Sequence, residues 1–296
     1  MDRLPKVDFL SLMLGSFLTA LVLPIVKNVS YSVTRYVLKS PSTRGFSFFD
    51  NLILLLHVKL KRLEASTFRK SIPKRIILVR HGESEGNVDP RAYSEPDRYI
   101  DLSDKGRIQA LEAGKKIREM VKNEKVFFYV SPFKRCRGTY QQIIKSFLNE
   151  RQFRMREDPR IREQEMGNVQ TENHESVLKL RDRVGRFFFR FADGESGSDV
   201  YDRVSTFLES LFRKFDRGMC EENVVIVTHG LLMRLFLMRY FYWSVETFEN
   251  LENFHNCEII VLEATNDESM GLYTLITPLR HRDDSKIIKT LEESVK

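Results

Sequence analysis

The stretch Arg75-Ile76-Ile77-Leu78-Val79-Arg80-His81-Gly82-Glu83-Ser84-Glu85-Gly86-Asn87 decides how this chain folds. Residues 75–79 have the length and apolar content of a buried strand. Arg80, His81 and Asn87 then fall where a strand's carboxyl end opens into a loop, which is where α/β proteins gather ligand chemistry. An imidazole beside a guanidinium at such a point suits a nucleophile facing an anion. Residues 224–230, Val-Val-Ile-Val-Thr-His-Gly, repeat the pattern: an apolar strand, then His229 and Gly230.

Outward from these two strands, the pattern predicts further strands over 125–130 and 258–262, with 273–276 as an edge. Helices are predicted over 103–122, 135–149, 176–191, 198–215 and 231–240, several starting at a serine able to cap the first turn. This alternation predicts an α/β fold for residues 74–296, a three-layer α/β/α arrangement with a mostly parallel central sheet. Phe187, Phe188 and Phe189 fall inside the predicted helix 176–191 and read as its core face.

The 296 residues carry a formal charge of +7, unevenly placed. Residues 1–73 hold 11 Lys and Arg against 4 Asp and Glu; subtracting these from the totals of 48 and 41 leaves 37 of each sign in the remainder. The basic excess therefore belongs to the N-terminal segment. With no zinc-finger, basic-zipper or RNA-binding pattern either, a nucleic-acid partner is not expected. Cys136, Cys220 and Cys257 are widely spaced and form no disulfide or metal-binding framework. Cys136, next to Arg135, reads either as an oxidisable thiol or as an ordinary buried one.

Residues 9–26 contain no charge, which is near the lower limit for a membrane-spanning helix. The expectation is an N-terminal hydrophobic helical extension: residues 1–73 serve as anchor and linker, with membrane association through residues 9–26. Lys27, Arg35, Lys39 and Arg44 follow the apolar run, against Arg3 and Lys6 before it, which favours a cytoplasmic body. A cleaved targeting peptide and a helix packed on the main domain are the competing readings. Residues 46–60 read as an interfacial amphipathic helix or as one packed on the domain.

Several separate motifs together resemble the histidine phosphatase superfamily, also called the phosphoglycerate-mutase-like family. They are RHGESEGN at 80–87, Leu102-Ser103-Asp104-Lys105-Gly106-Arg107-Ile108-Gln109-Ala110, Ser131-Pro132-Phe133-Lys134-Arg135-Cys136-Arg137-Gly138-Thr139, Arg162-Glu163-Gln164-Glu165-Met166-Gly167-Asn168, and Thr228-His229-Gly230. Gly194-Glu195-Ser196 with Asp199 and Arg203 resembles a branch of mutase-like proteins. The resemblance implies His81 as nucleophile, His229 as its catalytic partner and Glu163 as general acid. It also implies substrate binding by Arg80, Asn87, Arg135 and Asn256, and no cofactor.

The residue chemistry supports the same assignment. A phosphomonoester carries nearly two negative charges, so its pocket must be cationic. Arg80 and Arg135 each present a fork that matches phosphate oxygens, and Asn87 can donate to the same group. His229, if protonated, adds a third positive group. His81 must attack through an unprotonated nitrogen, with its other nitrogen held as N–H by an acceptor such as a backbone carbonyl. The leaving alkoxide needs a proton; Glu163 keeps the four-residue spacing to Gly167, and Glu165 is its competitor. His57, His174 and His281 read as incidental, and no metal-ligand cluster is visible.

Two reactions fit this chemistry: metal-independent hydrolysis of a phosphomonoester through a phosphohistidine, or a mutase that returns the phosphoryl group to another hydroxyl. Gly86-Asn87 stands where glycolytic mutases have Trp-Asn, which favours the phosphatase. An inactive, membrane-tethered binding relative is the third reading. The basic tail makes a lipid-linked phosphomonoester conceivable beside a small soluble one.

Overall fold

The computed structural model describes residues 55, 59, 72–94, 96–167, 174–265 and 272–282. Residues 9–26, most of 46–60, His57 and Asn168 lie outside them. Among the described residues, no helix is long and apolar enough to cross a membrane.

Six strands form one sheet: β1 (Arg75–Arg80), β2 (Val126–Val130), β3 (Phe153–Glu157), β4 (Asn223–Thr228), β5 (Ile259–Ala264) and β6 (Tyr273–Leu275). Their order across the sheet is β3-β2-β4-β1-β5-β6. The helices are α1 (Glu85–Val88), α2 (Asp104–Val121), α3 (Lys134–Ile144), α4 (His174–Val184), α5 (Gly197–Asp216), α6 (Gly230–Phe241) and α7 (Val245–Asn250).

Side-chain alternation along β1 and β4 sets up three layers. Ile76, Leu78, Val224 and Ile226 point into a cluster with Val204, Phe207 and Leu211 of α5 and Leu232, Leu235 and Phe236 of α6. Ile77, Val79, Val225 and Val227 point to the other face, against Ile117 of α2 and Cys136 and Ile143 of α3. With both faces covered, β4 is buried at all six positions, and its sequence is correspondingly apolar through Val227.

The sheet is mixed: the parallel arrangement expected holds for four of its six strands, and two antiparallel strands complete one side. β3, β2, β4 and β1 run parallel, but β5 pairs antiparallel with β1, and β6 antiparallel with β5. The cause lies in α7 and the turn that follows. They leave the chain at the carboxyl end of β1, where the Cys257 N–H donates to the carbonyls of Arg80 and His81. The next strand can only run back.

Three local expectations also fail. β3, Phe-Arg-Met-Arg-Glu, has four exposed residues of five, so it carries no apolar run to betray an edge strand. α3 stops at Ile144 rather than 149. α4 stops at Val184 because Gly185 turns with φ +99°, a conformation that ends a helix and suits glycine. The three phenylalanines therefore share no helix face. Phe187 is buried against Phe248, whereas Phe188 is 64% exposed.

Candidate active site

Each motif of the sequence has a structural task around the carboxyl ends of β1 and β4. The loop after β1 lies against the first turn of α2. Ser103 caps that helix through the Gly106 N–H, and Gln109 Oε1 accepts the Glu83 N–H at 2.9 Å. A Cβ on Gly106 would come within 1.9 Å of the Glu83 carbonyl oxygen, so the close approach requires glycine here. Glu83 accepts from Ser103 Oγ and Lys105 Nζ, and so pins the loop. Thr139 of α3 closes the other side: its Oγ1 accepts the Gly82 N–H at 3.0 Å and donates to the Arg135 carbonyl at 2.7 Å.

His81 is almost wholly buried. Its Nδ1 lies 2.7 Å from the Gly82 carbonyl oxygen, an acceptor that requires Nδ1 to carry the proton. Nε2 is left with its lone pair. Burial, reinforced by Arg135 and Arg80, holds the imidazole well below its ordinary pKa, so it is neutral at physiological pH.

His229 is fully buried at the start of α6, its ring edge-on to His81 with centroids 5.2 Å apart. Ser131 Oγ sits 2.8 Å from its Nε2, and Glu163 Oε2 lies 3.9 Å from its Nδ1. Burial, then Arg135 and His81, push its pKa well below the ordinary value. His229 is therefore neutral at physiological pH.

Arg80 donates to the Phe254 carbonyl, and its Nε–H, although buried, has no acceptor among the described residues. Arg135 is buried and its fork is already engaged: Nη1 donates to Asp97 Oδ1 at 2.6 Å and Nη2 to Oδ2 at 3.1 Å. Burial works against the Arg135 charge, and Asp97 more than restores it. Asn87 accepts through Oδ1 from the Ser84 N–H and from Asn256 Nδ2. Asn256 donates through that same amide nitrogen to the His81 carbonyl at 3.1 Å. It braces the His81 backbone and the Asn87 amide rather than lining the cavity.

Glu163 lines the cavity with a side chain 17% exposed. Burial pushes its carboxyl up, against the pull of the Gln164 N–H and Arg135. Glu165 is exposed and does not line the cavity. The Glu163 segment is held from below. Arg203 of α5 donates to the carbonyls of Arg160, Arg162 and Glu163 at 2.6, 2.8 and 3.0 Å and to both oxygens of Glu195. Glu195 in turn accepts from the Glu165 N–H and from Arg162. Thr228 Oγ1 donates to the Ile161 carbonyl, which ties this frame to β4.

The resulting cavity, about 180 Å3, brings together Arg80, His81, Asn87, Arg135 and Glu163. Sequence reasoning missed other lining residues: Tyr93, Gln164, Arg181, Arg186, Arg234 and Asn253. Arg234 had a signal, since it is one of only two charges in the apolar α6 sequence. Cys136 lies 3.4 Å from His229 Nε2, and burial pushes its thiol up to about 12, which is the inert of its two readings. Among the described residues, no cluster of His, Cys, Asp and Glu is arranged to hold a metal ion.

The profile of the histidine phosphatase superfamily, branch 1, matches residues 76–272. The chain belongs to that superfamily. Among curated relatives, phosphoglycerate mutase-like protein AT74H of Arabidopsis thaliana is 50% identical over 212 residues, covering 66% of this chain and 75% of the relative. Broad-range acid phosphatase DET1 of Saccharomyces cerevisiae is 31% identical over 310 residues, covering 72% and 91%. Among solved structures, the mycobacterial glucosyl-3-phosphoglycerate phosphatase superposes with a TM-score of 0.51 at 22% identity, over 64% of this chain and 92% of that one. At that identity the likeness concerns the fold.

Proposed function

We propose that this histidine phosphatase is a metal-independent phosphomonoester hydrolase that works through a phosphohistidine on His81. The observation that carries the proposal is the orientation of His81. Its Nδ1–H is fixed on the Gly82 carbonyl, and the neutral ring lies beside two guanidinium groups in one small cavity. The acid phosphatase among its relatives supports the same reaction class.

In this reading Nε2 of His81 attacks phosphorus in line and the ester P–O bond breaks. The leaving oxygen takes the Glu163 proton. Water then attacks the phosphohistidine, Glu163 takes back a proton, and orthophosphate leaves. Arg80, Arg135 and the Asn87 amide neutralise and orient the equatorial oxygens. An arriving dianion raises the pKa of His229, which then becomes cationic beside the transferring group. The substrate is a small-molecule or lipid-linked phosphomonoester.

The test uses the full chain with p-nitrophenyl phosphate in the presence of a chelator. Wild type turns over and becomes labelled on His81, whereas His81→Ala does neither. Equal turnover by both removes His81 as nucleophile. Isomerisation of 3-phosphoglycerate in the presence of a bisphosphoglycerate primer, faster than its hydrolysis, replaces the hydrolase reading with the mutase one.

We also propose that residues 1–73 tether the body, with residues 9–26 in a membrane and residues 74–296 on the cytoplasmic side. The support is the uncharged run and the excess of basic residues after it. A fluorescent fusion of residues 1–70 that stays diffuse in the cytosol ends this proposal.

A further inference from the structure

Tyr93, in the short 3-10 turn Pro90–Ser94 between α1 and α2, lines the cavity with Arg80, Arg135 and Glu163. Its hydroxyl end lies on Gly86. A Cβ at Gly86 would stand 2.8 Å from Tyr93 Cζ and 3.1 Å from Oη, so any side chain there takes the space of the phenol. Burial raises the phenol's pKa, and it stays protonated and neutral among the charges of Arg135, Asp97, Glu163 and Arg80. Among the described residues, Oη has no hydrogen-bond partner.

Hydrolysis of a phosphohistidine and its transfer to an alcohol differ by one O–H. In either case the attacking oxygen gives a proton to Glu163 as it joins phosphorus. An alcohol then has no O–H left, whereas water keeps a second one that needs an acceptor. Few groups of the cavity wall can supply it. The arginines only donate. His81 Nδ1–H is fixed on Gly82, and Nε2 carries the phosphoryl group. Asn87 Oδ1 already accepts from the Ser84 N–H and Asn256 Nδ2. Gln164 is anchored through Nε2 on the Glu195 carbonyl, and Asn253 packs on Gly230. Tyr93 Oη is left, with its lone pairs unused.

We infer that Tyr93 is a catalytic residue that holds the hydrolytic water by accepting its second O–H, and so directs the phosphohistidine to water rather than to an alcohol. This rests on the hydrolase reading of His81. In the step, the water oxygen bonds to phosphorus and the P–Nε2 bond breaks, its electron pair returning to His81. One water proton passes to the Glu163 carboxylate. The other stays on oxygen, in the hydrogen bond to Oη, and leaves with orthophosphate. Tyr93 keeps its own proton throughout.

The test supplies the full chain with p-nitrophenyl phosphate and glycerol, and measures glycerol phosphate formed per orthophosphate. Both products come from one phosphoenzyme, so defects in folding or substrate binding cancel from the ratio. Tyr93→Phe removes only the hydroxyl, and the ratio is expected to rise about tenfold. Without glycerol, rapid-quench labelling of His81 should show unchanged phosphorylation and about tenfold slower decay of the label. Gly86→Ala displaces the phenol; it should raise the ratio likewise and add nothing in the Tyr93→Phe chain. A ratio or a decay rate equal to wild type in Tyr93→Phe overturns the inference. An additive rise in the doubly substituted chain does the same. Normal labelling of His81 with an unchanged ratio removes the role of Tyr93 alone. Hydrolysis by wild type with no label on His81 removes the phosphohistidine, and the inference with it.

Discussion

Asp97 holds both ends of the Arg135 fork, with Nη1 at 2.6 Å from Oδ1 and Nη2 at 3.1 Å from Oδ2. A carboxylate thus occupies the bidentate geometry that a phosphate needs, and the two compete for one guanidinium. Removing the competitor's charge favours the ligand. Asp97→Asn is expected to tighten inhibition by orthophosphate by about 1 kcal/mol, roughly five- to tenfold. An inhibition constant unchanged from wild type would show that Arg135 does not leave Asp97 when phosphate binds.

The buried histidines set the acid limb. Both His81 and His229 have pKa values pushed well below 6.5 by burial and by Arg135. His81 therefore keeps an unprotonated nitrogen below pH 6.5, so in the proposed reaction kcat/KM should persist below pH 6, where a free imidazole is already largely charged. Below pH 6.5 the unfolded chain binds protons that the folded chain refuses, so stability is complete above 6.5 and is lost as pH falls toward the folded pKa values. Unfolding free energies of wild type and of His81→Ala between pH 7 and 5 check this; the substitution should flatten the decline.

The strand ends were legible because two apolar runs fix β1 and β4, and each places its histidine at the same edge of the sheet. The motif around Arg135 was legible as chemistry, but its partner Asp97 was not. Asp97 lies in a short turn 38 residues earlier, and nothing local marks the pairing. The antiparallel β5 was illegible for a similar reason: Ile259–Ala264 has the apolar content of any buried strand, and direction is set by where the preceding turn leaves the chain. The exposed edge strand Phe153–Glu157 lacked a pattern altogether. Gly194-Glu195-Ser196 and Arg203 could be seen as a motif, yet only the fold shows that they carry the Glu163 segment.

Arg203 is a positioning residue by that geometry. Its side chain is 11% exposed and supplies donors to three carbonyls and a carboxylate. A lysine lacks the fork and cannot reach this set. Arg203→Lys is expected to lower stability by about 2–4 kcal/mol and kcat on an alkyl phosphate by about tenfold or more, with KM changed less. Denaturant unfolding and steady-state kinetics on glycerol 3-phosphate separate the two effects. A kcat like that of wild type would mean that the Glu163 segment holds its place unaided.

Glu163 offers the sharpest distinction, because as the proton donor of the proposed reaction it would matter to one class of ester and not the other. Burial raises its pKa, so above the ordinary carboxylate range the folded state bears the cost of charging it. The neutral variant Glu163→Gln avoids that cost and should melt a few degrees higher at pH 7 (~1 kcal/mol). It also lacks the proton that an alkoxide must receive. Activity on glycerol 3-phosphate should fall by about 10²–10⁴. p-Nitrophenolate leaves without a proton, so the fall on p-nitrophenyl phosphate should be at least tenfold smaller. Equal losses on both esters would assign Glu163 to binding and leave the proton donor elsewhere in the cavity. A matching leaving-group difference in Arg203→Lys would tie the frame beneath the loop to the same proton.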